Sequence, residues 1–157
     1  MMDQMHTASS PRAPTQQAIS ATAHCLTGCA IGEILGLVLA TWWGWSNAPS
    51  VALAVALAFV FGYSLTIAPM LRAGLSLRRA IAVALAADTL SIVTMEIVDN
   101  AFVLAIPGAM DAGLGSGLFW GSLAASLAVA FVVTVPVNRA LIARGKGHAV
   151  AHGHHNH

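Results

Sequence analysis

The sequence predicts an all-α membrane protein, a bundle of four transmembrane helices with both termini on the cytoplasmic side. Three observations predict it. The 157 residues are 57% hydrophobic and only 8% charged, whereas a soluble domain carries roughly a quarter charged residues. Four apolar stretches are each long enough for the about 20 residues that a helix needs to cross the hydrocarbon core. All seven Lys and Arg residues fall in places that a four-span chain puts on one side.

Each element has its own signals. Residues 1–17 are polar, rich in Pro, Ser, Thr and Gln, and read as a disordered cytoplasmic tail. They hold no basic stretch, apolar run and cleavage site in series, so no signal peptide is expected. The transmembrane domain is expected over residues 18–143. Helix one is expected over 19–43, ending in Trp42, Trp43 and Trp45, because tryptophan favours the membrane–water boundary. Asn47, Pro49 and Ser50 read as a turn. Helix two follows over 50–71, nearly all Ala, Val, Leu and Phe, with Pro69 expected to bend or end it. Helix three covers 79–106, is longer than a span requires and so is expected to tilt; Pro107 and Gly108 stop it. A glycine-rich loop with one charge, Asp111, leads to helix four over 118–142. Residues 144–157 form a histidine-rich tail.

Orientation follows from Arg12, Arg72, Arg78, Arg79, Arg139, Arg144 and Lys146, which occupy the first tail, the middle loop and the last helix end. Cytoplasmic segments are enriched in Lys and Arg, so those regions are expected in the cytoplasm. Three or five spans would scatter the basic residues over both faces.

Small residues recur at every fourth position: Gly28, Gly32 and Gly36 in helix one, and Gly113, Gly117, Gly121 and Ala125 into helix four. This spacing lets helix backbones approach closely in lipid. Both stripes are expected to pack within the bundle, with contact to a second copy as the other use.

The chemistry lies inside the spans. Four of the six acidic residues, Glu33, Asp88, Glu96 and Asp99, are there. A charged side chain at the bilayer centre costs about 2.5–3.5 kcal/mol on insertion scales, and no Lys or Arg lies at the same depth. The acids must be protonated, hydrogen-bonded, wetted or bound to a cation. One reading is a set of polar residues that locks the bundle. The other is a pathway.

Helix one reads His24-Cys25-Leu26-Thr27-Gly28-Cys29-Ala30-Ile31-Gly32-Glu33. Cys25, Cys29 and Glu33 share one face at intervals of four, and His24 begins the neighbouring stripe. Imidazole suits zinc, copper, iron and nickel, and thiolates favour Cu(I) and zinc. Cysteine is also a good small hydrophobe for a buried helix. On helix three Asp88, Met95 and Asp99 share a face flanked by Glu96, with Asn100 following. By depth, Asp88 is expected level with Cys29, Glu33 near the middle, and Glu96 and Asp99 farther out. A metal site of His24, Cys25, Cys29, Glu33 and Asp88 is therefore expected. An ion path would run along Glu33, Asp88, Met95, Glu96, Asp99 and Asn100. In the C-terminal tail His148, His152, His154, His155 and His157 can collect divalent metals.

The helix-one motif and the acidic third helix resemble a bacterial and archaeal membrane family labelled a domain of unknown function, over nearly all of residues 20–143. The resemblance implies a four-helix membrane architecture, and for a bacterial member the inner (cytoplasmic) membrane. Some members carry copper-related names. It implies no established activity, and no catalytic residue follows from it.

The expected function is to bind or transport a heavy-metal cation, copper or zinc, through the Cys/Glu/Asp site. One alternative is a proton or alkali-cation pathway through the acids of helices one and three. Another is a non-transporting membrane subunit or assembly factor. The expected partners are the lipid bilayer and a homo-oligomer or larger membrane complex. No basic patch interleaved with aromatics points to nucleic acid. An enzyme is not expected, because no nucleophile and base stand at a recognisable spacing.

Overall fold

The computed structural model describes residues 12–144. Four helices account for nearly all of them: α1 (Arg12–Trp42), α2 (Asn47–Arg72), α3 (Leu77–Ala105) and α4 (Gly117–Ala143). All four are long and apolar enough to cross a membrane. The N-terminal residues before Arg12 and the histidines of the C-terminal tail lie outside the described residues.

The helices are antiparallel in sequence order, and each packs on its neighbours in the cycle α1–α2–α3–α4. The parallel pair α1 and α3 also touches across the diagonal. At one end lie the start of α1, the α2–α3 turn with Arg72, Arg78 and Arg79, and the end of α4 with Arg139 and Arg144. This is called the basic end. At the far end Trp42, Trp43, Trp45 and Trp120 are exposed, and the Trp120 indole N–H donates to the Leu114 carbonyl over 2.7 Å.

The polarity of the bundle is the reverse of a soluble one. Val60, Ile97, Leu104 and Val132 face outward with 56%, 64%, 69% and 69% of their surface exposed, while Glu33, Asp88, Ser91, Glu96, Asp99, Ser126, Thr134 and Asn138 are buried. In water the outer surface would be an extended apolar patch of the kind soluble monomers avoid. In lipid it is the ordinary surface, so the chain is a multi-pass membrane protein.

Three expectations change at helix ends. α1 begins at Arg12, not at residue 19, so residues 12–17 are helical and not an irregular tail. α2 begins at Asn47, which draws Pro49 and Ser50 into its first turn. The reason is common to both: first-turn N–H groups have no partner within the helix, so Pro14 and Pro49 forfeit no hydrogen bond. α2 also runs through Pro69 to Arg72 and turns at Gly74, whose φ of +93° is the left-handed conformation that glycine tolerates. α3 ends as expected before Pro107 and Gly108.

The α1 glycine stripe packs as expected, directly on α2. A Cβ added at Gly28 would lie 2.7 Å from Gly62 Cα, and one at Gly36 would lie 2.5 Å from Ala54 Cα. One at Gly32 would overlap the Leu57 carbonyl. The α4 stripe does not pack. Gly113, Gly117 and Gly121 meet nothing within 4 Å of an added Cβ, and Ala125 is exposed. The inward face of α4 is one position on, about 100° around the helix: Ser122, Ser126, Ala130, Thr134 and Asn138, all buried.

Candidate functional site

The glycine stripe positions the chemistry. Cys29 and Glu33 each follow a stripe glycine, so their side chains are turned about 100° from the α2 contact. That turn brings them to the bundle axis, where α1 meets α3. Cys25, Cys29 and Glu33 are 2%, 1% and 6% exposed, and Asp88, Met95, Glu96 and Asp99 are equally buried on α3.

Toward the far end the carboxyls of Glu33 and Asp99 face each other within hydrogen-bonding reach. No donor reaches either oxygen of Asp99. Two carboxyl groups can hydrogen-bond only if one holds a proton, so the pair as it stands calls for a proton, a water or a cation between its oxygens. Buried polar groups are nearly always partnered, and an exception of this kind marks a place to look for function.

Above the pair is a cavity of about 70 Å³ with a mostly apolar wall that includes Leu37, Val103 and Phe119, polar groups from Asn47, Ser50, Asn100 and Ser122, and Glu33 and Asp99 at its foot. It has room for several waters. Asn47 Nδ2 donates to Asp111 over 3.0 Å, which ties the start of α2 to the α3–α4 loop beside the cavity. Asn100 Nδ2 donates to the Glu96 backbone carbonyl over 2.8 Å and lies 3.5 Å from Glu96 Oε2.

Deeper along the axis the Cys29 side chain lies near the Glu96 carboxyl and near Cys25. Both cysteines are free. With Ala58, Ile92, Met95 and Ala130 they form one packed cluster.

Toward the basic end the Asp88 carboxyl lies beside Thr66 of α2. Asn138 of α4 accepts from Ser91 and donates to Thr22 over 2.8 Å, and Thr22 passes the chain to the Ala18 carbonyl over 2.6 Å. This network joins α1, α3 and α4.

The expected sites are therefore partly brought together. Glu33, Glu96, Asp99 and Asn100 gather at the far half of the axis, with Met95 packed beneath them. Cys29 is level with Glu96, not with Asp88. Asp88 lies two turns deeper than Glu96, about 12 Å along the helix. The correction arises because the register of α1 against α3 is set by packing, with Gly28, Gly32 and Gly36 seated on Gly62, Leu57 and Ala54, and not by where each helix starts. His24 is half-buried, and consecutive helix positions turn it about 100° from Cys25. Among the described residues no three His, Cys, Asp or Glu side chains converge as a metal-ion site. Cys25, Cys29 and Glu96 are strung along the axis instead.

Sequence reasoning missed Thr22, Thr66, Ser122, Ser126, Thr134 and Asn138. The signal was present on helix four, where polar residues recur at intervals of four or eight, one position from the glycine stripe.

Comparison with curated proteins gives no match, and comparison with solved structures gives none. The model of one family matches residues 15–147, nearly the whole of the bundle. The chain thus belongs to the family described as Domain of unknown function (DUF4396).

Proposed function

We propose that the chain is a membrane pathway for a small cation, a proton foremost, that uses the carboxyls of Glu33, Asp99 and Glu96 along the contact of α1 and α3. The observation that carries this reading is Asp99. It is 2% exposed, its oxygens meet no donor, it faces a second carboxyl, and it lines the foot of a cavity. Intramembrane carboxyls without basic partners are costly and mark proton or ion paths. With the basic end in the cytoplasm, the cavity faces outward and delivers its cation to the pair.

The heavy-metal reading is kept as the second. Its support is Cys29, which contacts both Cys25 and Glu96 and so places thiols beside a carboxylate, donors suited to copper or zinc. It ranks second because the cavity reaches the carboxyls of Glu33 and Asp99 and neither cysteine.

The test is proton entry into vesicles holding the purified protein and a pH-sensitive dye, driven by a potassium–valinomycin potential. Glu33→Gln and Asp99→Asn should each lower the flux at least tenfold. Flux no greater than that of protein-free vesicles, or flux untouched by both substitutions, would refute the proposal.

A further inference from the structure

The axis-facing side of α3 alternates in polarity, turn by turn. Asp88 and Ser91 come first, Ile92 and Met95 next, Glu96 and Asp99 last, and all six are buried. The successive sets are about 6 Å apart, one helical turn. The pathway as drawn uses only the last set.

The middle set is a barrier. Ile92 is 0% exposed and Met95 2%, and both belong to the cluster with Cys25, Cys29, Ala58 and Ala130. Ile92 reaches into the space beside Gly62, where an added Cβ would lie 2.9 Å from Ile92 Cδ1. A charge crossing this layer has apolar side chains on every helix around it.

Beside the thiols of Cys25 and Cys29, one hydroxyl stands at that level. Asn138 is bonded to Ser91, and α4 runs antiparallel to α3. Thr134, one turn before Asn138, is therefore level with Met95. Thr134 is 0% exposed, and its Oγ1 is the one buried hydroxyl among the described residues with no hydrogen-bond partner. Thr22 and Thr89 donate to the carbonyl four residues back, so such a bond is available to a helical threonine and Thr134 does not make it.

Below the barrier Asp88 is 1% exposed. The groups around it are Thr66 of α2 and, one turn or less away, Ser91 of α3 with Asn138 of α4 and Thr22 of α1. None of these is an acid or a base, so Asp88 is the one buried carboxyl of this half of the axis among the described residues.

We infer that Asp88 is a second, inner station of the pathway, and that the Thr134 hydroxyl is the relay across the Ile92–Met95 layer. This rests on the proposed proton pathway and extends it to the cytoplasmic half. In the relay, a proton from the Glu96 side adds to a lone pair of Thr134 Oγ1 while the hydroxyl's own proton leaves toward Ser91 and Asp88, with water completing the chain as Ile92 moves aside. The hydroxyl ends as it began.

The experiment is the vesicle flux assay on the full chain, with thermal unfolding in detergent alongside. Thr134→Val should lower flux about tenfold without lowering stability, since the lost hydroxyl bonds nothing. Asp88→Asn should abolish flux, and Asp88→Glu should keep a measurable part of it. Ile92→Ala should raise flux several-fold by thinning the barrier. If Glu33→Gln abolishes flux while Thr134→Val and Asp88→Asn both conduct like wild type, the inner station and relay are wrong and the outer pathway stands. If Asp88→Asn does not fold, Thr134→Val decides alone, and wild-type flux in it overturns the inference. No flux in the wild type overturns both readings.

Discussion

Replacing Gly28 with alanine tests how the bundle sets its own axis. The new Cβ would sit 2.7 Å from Gly62 Cα and 3.0 Å from Gly62 N. Carbon atoms rest at about 3.5–4.0 Å, so the two backbones must part by about 1 Å. Neither contact is the end of a flexible side chain, and neither can turn away. Overpacking of this kind costs about 1–3 kcal/mol. Alanine recovers roughly 0.5–1 kcal/mol through helix propensity. The expected net loss is about 0.5–2 kcal/mol, a factor of roughly 2–30 in the folding equilibrium. Unfolding would be followed by tryptophan fluorescence as dodecyl sulfate replaces a mild detergent. Gly121→Ala is the control: its Cβ meets open space, and it should be neutral or slightly stabilising. Because Glu33 is on the same helix and faces α3, moving α1 off α2 should also disturb the carboxyl pair and reduce vesicle flux. Wild-type stability for Gly28→Ala, or a larger loss for Gly121→Ala, would refute the assignment of the α1 stripe to the inside and the α4 stripe to the outside.

Asn138→Leu should destabilise the bundle by about 1–2 kcal/mol by removing its bonds to Ser91 and Thr22. Adding Ser91→Ala should recover part of that loss, because the serine no longer leaves a buried hydroxyl unpaired; additive losses measured in the same unfolding assay would count against the network. For the metal reading, elemental analysis of the full chain and of its Cys25→Ser, Cys29→Ser variant, both loaded with copper or zinc and washed, should differ by close to one equivalent. Equal metal in the two samples would leave the thiols as packing residues, since the histidine tail is common to both.

Helix number, topology and the gathering of basic residues at one end were legible because they depend on composition and order alone. A stretch such as 118–142 has no other way to satisfy its backbone in lipid than as a helix. Helix ends were legible where a breaker acts alone, as at Pro107 and Gly108. They were misread where proline falls in a first turn, as Pro14 and Pro49 do, because it breaks nothing there. The α1 stripe and the α4 stripe look alike in sequence, yet one packs on Gly62, Leu57 and Ala54 and the other meets nothing.

The candidate site divides in the same way. Buried carboxyls on helices one and three could be named from the sequence, because ionisable groups in apolar spans stand out without any partner in view. Which of them meet could not. Pairing Glu33 with Asp99 and Cys29 with Glu96, and leaving Asp88 two turns away with Thr66, depends on the axial register of α1 against α3. That register is set by side-chain packing over the whole α1–α2 contact, and a shift of one turn, about 5.4 Å, changes every partner while leaving each helix's own pattern intact. The sequence by itself determined that lipid is the solvent, that four helices cross it and that acids lie within them; the tertiary structure alone decided which acids face each other, because partners on different helices are chosen by packing and not by periodicity.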